Sequence, residues 1–131
     1  MATATLLSDQ LDRLAGFEPT TFPVLSLYLD TRPNQHGRDS YSVTLRQELA
    51  AKAASFPKRS SDRESFDADA ERIQQWLQSE LQPSSNGVVI FACHGAGLFE
   101  TVQLDVPVGE TRLYVSHSPH LYHLARIQDQ Y

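Results

Sequence analysis

Hydrophobic positions along the chain change period several times, and each change marks an element. Over residues 4 to 15, Leu7, Leu11 and Leu14 fall at helical spacing, and Gly16 follows as a stop. The stretch "PVLSLYLDTRP" then alternates. Leu25, Leu27 and Leu29 face one way and Ser26, Tyr28 and Asp30 the other, which predicts a strand with one buried face, ended at Pro33-Asn34. From Ser40 the spacing returns to helical through Tyr41, Leu45, Leu49, Ala53 and Phe56, until Pro57 closes it. Ser61 with Glu64 reads as a capping box. The helix it opens carries Phe66, Ala70, Ile73, Leu77 and Leu81 on one face, with Trp76 at the edge, and Pro83 to Gly87 break it. Two helices so closely linked predict an antiparallel hairpin with "PKRSSDR" at its tip.

The run "GVVIFAC" is continuously apolar, as expected of a central strand covered on both faces. After it, Val102, Leu104, Val106 and Val108 alternate with Thr101, Gln103, Asp105 and Pro107, predicting a returning strand with one solvated face. Gly95 and Gly97 lie between the two and are expected to supply the positive φ angles of a hairpin loop. "TRLYVS" reads as a further short strand, and "PHLYHLARIQDQY" as a helix with proline at its N-terminus. The order α-β-α-α-β-β-β-α predicts an α+β fold with an antiparallel or mixed sheet of about four strands.

Composition narrows the function classes. The chain has 131 residues, 40% hydrophobic and 21% charged, a single-domain globular composition. One cysteine, Cys93, excludes an internal disulfide and a multi-cysteine zinc site. No apolar run reaches membrane-spanning length, and no basic region precedes the N-terminal leucines, so a cytoplasmic protein without membrane contact is expected. The formal net charge of −5 excludes a surface that is basic throughout, so any phosphate contact must come from a local patch.

Four groups of residues could carry chemistry. His94-Gly95-Ala96-Gly97 has the letters of an esterase oxyanion loop, but no G-x-S-x-G nucleophile elbow accompanies it, and a hairpin turn is expected. Cys93 precedes His94, but consecutive strand residues point to opposite faces, so a packed thiol is expected rather than a nucleophile. His117, His120 and His123 are evenly spaced, with His120 and His123 able to share a helix face; a metal would need a further ligand. The connector places Lys58, Arg59 and Arg63 beside Ser60 and Ser61, a small cationic tip able to meet phosphates, with a solvated capped turn as the plainer alternative. The loop from Arg32 to Arg38, with His36 between, is a second basic stretch.

From about residue 22 to residue 131 the order of elements resembles the N-terminal domain of class I peptide-chain release factors of eukaryotes and archaea, the Pelota-like group included. The bacterial archaeo-eukaryotic release factor family is the nearest in pattern. "VLSLYLDTRP", the helix pair around the connector, "NGVVIFACHG" and "TRLYVSHSPHLYHLARI" carry the resemblance through their order and spacing. In that family the hairpin tip approaches the messenger codon, with Asn-Ile-Lys-Ser there. This chain has Lys58-Arg59-Ser60-Ser61 at that place. Of the family's tyrosine-x-cysteine-x-x-x-phenylalanine motif it keeps Tyr114, with Ser116 and His120 at the other two positions.

The resemblance implies a bacterial translation protein that binds the ribosome's small-subunit decoding region, rRNA and messenger, in rescue, stalling or hibernation rather than in stop-codon reading. It implies RNA contacts at Lys58, Arg59, Ser60, Ser61, Arg63, Arg32 and Arg38, with stacking by Tyr114 or Tyr28. A GTPase or another protein is a further implied partner of the full-length protein. The family's Gly-Gly-Gln hydrolytic loop belongs to a middle domain and does not occur here, so no enzyme activity, cofactor or metal is expected of this chain. The rival expectation is a protein-interaction module that keeps the fold without the ribosome. Residues 1 to 20 form a helical extension outside the resemblance. The apolar stripe Leu121, Leu124 and Ile127 is expected to need a surface from a following domain or a second copy, with residues 120 to 131 frayed otherwise.

Overall fold

The computed structural model describes residues 2–32 and 41–129, with side chains from residue 7 onward. Among these residues the chain forms α1 (Ala2–Ala15), β1 (Val24–Asp30), α2 (Tyr41–Ala53), α3 (Ser61–Glu80), β2 (Gly87–Cys93), β3 (Leu98–Leu104), β4 (Arg112–Ser116) and α4 (Tyr122–Gln128). The fold is α+β. Its four strands form one sheet in the order β3-β2-β1-β4, with every neighbouring pair antiparallel.

Strand order decides burial. β2 is buried along its whole length, as its continuous apolar run predicts. β1 differs from the expectation of one buried face: Val24 to Leu29 are all buried, because β1 is the other inner strand and helices cover both of its sides. Leu25, Leu27 and Leu29 join Val88, Ile90, Ala92 and Leu113 under Leu45, Leu49, Phe66, Ile73 and Leu77 of α2 and α3. On the opposite face, Tyr28, Val89, Phe91, Val102 and Leu104 pack against Leu7 and Leu14 of α1 and Leu124 and Ile127 of α4. The edge strand β3 keeps the expected alternation only at its end, where Val102 and Leu104 are buried. Val106 and Val108 lie beyond it, half-buried against the second core.

Helices α2 and α3 pack on one face as a hairpin whose connection lies where β1 begins and β2 ends. A groove there is lined by Thr21, Pro23, Phe56, Asp62, Val115 and His117. The cap falls one residue earlier than the sequence suggests. Ser60 is the N-cap of α3, its hydroxyl oxygen accepting from Arg63 N–H, so the Ser61–Glu64 box does not form. Pro119 likewise does not open α4. Residues 117–121 run along the sheet, where His120 N–H donates to Ser26 Oγ, and the helix starts at Tyr122. The stripe on α4 needs no external surface: Leu124 and Ile127 are 0% and 5% exposed, covered by α1 and the sheet. The Pro33-Asn34 turn lies outside the described residues.

Candidate nucleic-acid interface

The hairpin tip is built by backbone hydrogen bonds and by two side chains. Ser60 N–H and its hydroxyl both donate to Pro57 carbonyl oxygen, at 3.0 and 2.8 Å, which folds residues 57–60 into a tight turn. Arg63 reaches back over the turn. Its guanidinium donates to the carbonyl oxygens of Ala53 and Phe56 at 3.1 and 3.5 Å and pairs with Asp67 at 3.0 Å. A helix ends with unsatisfied carbonyls and partial negative charge, so a guanidinium placed there stabilises the end of α2. Arg63 is therefore a structural cap of α2, engaged with Ala53, Phe56 and Asp67.

Lys58 and Arg59 are different. Both are exposed, and neither makes a hydrogen bond or ion pair among the described residues. Ser61 is exposed beside them on the first turn of α3, while Ser60 is committed to capping. The tip thus holds two unpaired cations on a turn fixed by Ser60 and Arg63. Phe56 fastens the turn from beneath, packing against Phe66 with ring centroids 5.5 Å apart.

The other expected contacts are not brought to the tip. Arg32 follows the far end of β1, roughly 20 Å away along a seven-residue strand, and lines a separate groove with Tyr41 and Thr44. Its guanidinium is held by both carboxylate oxygens of Asp30, at 3.0 and 2.9 Å, and holds that carboxyl below its usual range in return. Arg38 and His36 lie outside the described residues. Tyr114 is half-buried. The His120 ring covers one of its faces at 3.8 Å, and its hydroxyl lies 2.8 Å from His123 Nε2. Tyr28 is 1% exposed and gives its hydroxyl to His120 carbonyl oxygen at 2.6 Å, while accepting from Leu124 N–H. Burial holds that phenol well above its usual range. Tyr28 has no face for a base to stack on, and Tyr114 has one face already stacked.

The glycine loop is a 3-10 turn at His94–Ala96. Its amides are already used: His94 N–H donates to Asp69 Oδ2 and Gly95 N–H to Ser65 Oγ, both at 3.0 Å. Those donors cannot also hold an oxyanion. Gly97 has the expected positive φ of 72°, but Gly95 does not; among the described residues the other positive φ belongs to Gly109. Gly95 is needed for space, since a Cβ there would sit 2.3 Å from Phe22 Cγ. Cys93 is buried, and burial pushes its thiol up. Among the described residues no three His, Cys, Asp or Glu side chains are placed to hold a metal ion. His117 is exposed at the exit of β4, apart from the His120–His123 pair.

Sequence reasoning missed Ser65 and Asp69, the pair that ties α3 to the β2–β3 turn. Both are 2% exposed, and burial raises the Asp69 carboxyl to about 6 against the opposing bond from His94. The signal was present: two small polar residues four apart, next to the apolar stripe of α3, face the core only when a partner waits there. No known family profile matches the chain, and no curated protein sequence matches it. None of the described helices is long and apolar enough to cross a membrane.

Proposed function

We propose that this chain is an RNA-contacting domain of a cytoplasmic, release-factor-like translation protein, and that it enters the decoding region of the ribosomal small subunit by the α2–α3 tip. The observation that carries the reading is the pair Lys58 and Arg59, exposed and unpaired on a turn whose shape Ser60 and Arg63 fix. Cations held on a rigid protrusion meet a phosphate backbone without the ordering cost that flexible arms incur. A chain of net charge −5 that touches RNA through one projecting tip avoids repulsion over the rest of its surface. Recognition then rests on backbone contacts and shape, since Tyr28 is buried and Tyr114 is stacked on His120.

The domain occupies the site without reading a stop codon, as suits rescue, stalling or hibernation, and it hydrolyses neither esters nor peptidyl-tRNA. Co-sedimentation with ribosomes, with and without a stop codon in the decoding site, tests this. Salt-sensitive binding that is indifferent to the codon is expected, and it should weaken when Lys58 and Arg59 are both changed to Gln. Binding that survives that change unaltered, or no binding at all, overturns the reading and leaves a protein-interaction module as the better description.

A further inference from the structure

The segment that leaves β4 is fastened to the sheet by an aromatic cluster that the proposed RNA contact does not use. Hydrogen bonds to β1 side chains hold the backbone of residues 117–128. His120 N–H donates to Ser26 Oγ at 2.9 Å, Tyr28 hydroxyl donates to His120 carbonyl oxygen at 2.6 Å, and Leu124 N–H donates to the same hydroxyl at 3.2 Å. Two imidazoles complete the fastening. The His120 ring lies flat on Tyr114 with centroids 3.8 Å apart, and His123 sits 5.3 Å from His120 with its Nε2 on the Tyr114 hydroxyl.

We propose that His120 and His123 form an acid-sensitive latch, neutral while residues 117–128 lie on the sheet and released when the imidazoles take up protons. His120 Nε2 is buried and has no hydrogen-bond partner among the described residues, so a proton there would be a buried charge with nothing to accept it. Among those residues no carboxylate bonds to either ring. The hydrogen-bonding groups at the cluster are the phenols Tyr28 and Tyr114, with Arg112 donating to Tyr114. The charges acting on His123 are its neighbour imidazole, Arg112 of β4 and Arg126 of its own helix. Carboxylates stand one step further out, with Glu110 bonded to Arg112 and Asp129 acting on Arg126. α1 contributes leucines to the core that α4 shares.

Burial, followed by the like charges, lowers the His123 value from 6.5. The released segment therefore binds protons more readily than the docked one, so docking is complete above the free histidine range and weakens as pH falls through it. Asp69, which titrates nearby, holds the β2–β3 turn from the opposite face and reports separately.

Amide exchange of the whole chain at pH 7.5 and 5.5, corrected for intrinsic rates, tests the latch. The opening of residues 117–128 should rise at the lower pH. β2 should open no more at pH 5.5 than at pH 7.5, because protonation of Asp69 favours the fold. The double variant His120→Phe with His123→Gln keeps the stack and a hydrogen-bonding group but cannot charge, and its segment should exchange alike at both pH values. Equal opening of the unaltered chain at both pH values, or a pH dependence that persists in the variant, overturns the proposal. If the variant does not fold, NMR titration of the unaltered chain decides: the His123 imidazole should titrate below free histidine, and a value at or above it overturns the latch.

Discussion

The carboxylate of Asp69, on α3, accepts the backbone N–H of His94 across 3.0 Å, although 25 residues separate them in the chain. It is the contact that turns a loop resembling an oxyanion hole into a structural tie. The Asp69 carboxyl titrates at about 6, raised by burial from 3.8. A folded-state value above the unfolded one means that the native protein binds the proton more tightly. This group therefore favours folding below about pH 4 and opposes it increasingly as pH rises through 6. Asp69→Asn retains an acceptor for His94 and removes the buried charge. Denaturant unfolding should find the variant at least as stable as the parent at pH 7, with the gap closing at pH 4. Asp69→Ala leaves the amide unpaired and should cost about 1–3 kcal/mol at either pH.

The tip separates shape from charge. Arg63→Ala removes the cap of α2 and the Asp67 pair, and should lower stability by about 1–2 kcal/mol in thermal or denaturant unfolding. Lys58→Gln with Arg59→Gln should leave stability within about 0.5 kcal/mol, both side chains being exposed and unpaired. The double variant should reduce the log–log salt slope of ribosome binding by about 0.7–0.9 for each phosphate that is no longer neutralised. An unchanged slope would show that the tip is only a capped turn.

Two glycines in one turn respond differently to alanine. Gly95→Ala drives a methyl into the Phe22 ring, and overpacking of this kind costs about 1–3 kcal/mol. Gly97→Ala meets nothing within 4 Å but must keep a φ of 72°, which costs about 1 kcal/mol. A repacked Phe22 in the Gly95 variant should show as a shifted ring resonance, whereas the Gly97 variant should leave it in place.

Tyr28→Phe deletes one hydroxyl that serves two backbone groups, the His120 carbonyl and the Leu124 amide. Losing both bonds in a buried setting should cost about 1–3 kcal/mol. Amide exchange of α4 should quicken at neutral pH, with the central strands unaffected. Uniform loss of protection across the sheet would instead assign Tyr28 to the core alone.

Much of this architecture is legible from local pattern. Period-two alternation at Leu25–Leu27–Leu29, helical spacing at Leu45–Leu49–Ala53 and the run from Val88 to Cys93 each mark an element of the type observed, with several ends displaced by three or four residues. These signals survive because periodicity records which side of an element meets the core, whatever that core contains. The pairing of the two helices around Lys58 and Arg59 is legible too, because so short a connector allows few other arrangements.

What the sequence determined by itself is the list of elements and the placement of Lys58 and Arg59 at the tip of the helix pair. It did not determine partners. Whether Ser26 and Tyr28 face solvent or a second core depends on β1 lying between β2 and β4, and no pattern within β1 encodes its neighbours. Arg63 reads as a phosphate contact until the end of α2 is placed beneath it. Tyr114 reads as an exposed ring until His120 is laid across it. Each of these outcomes was decided by tertiary structure, because a hydrogen bond or a ring stack is a relation between residues distant in the chain, while periodicity carries information only about near neighbours.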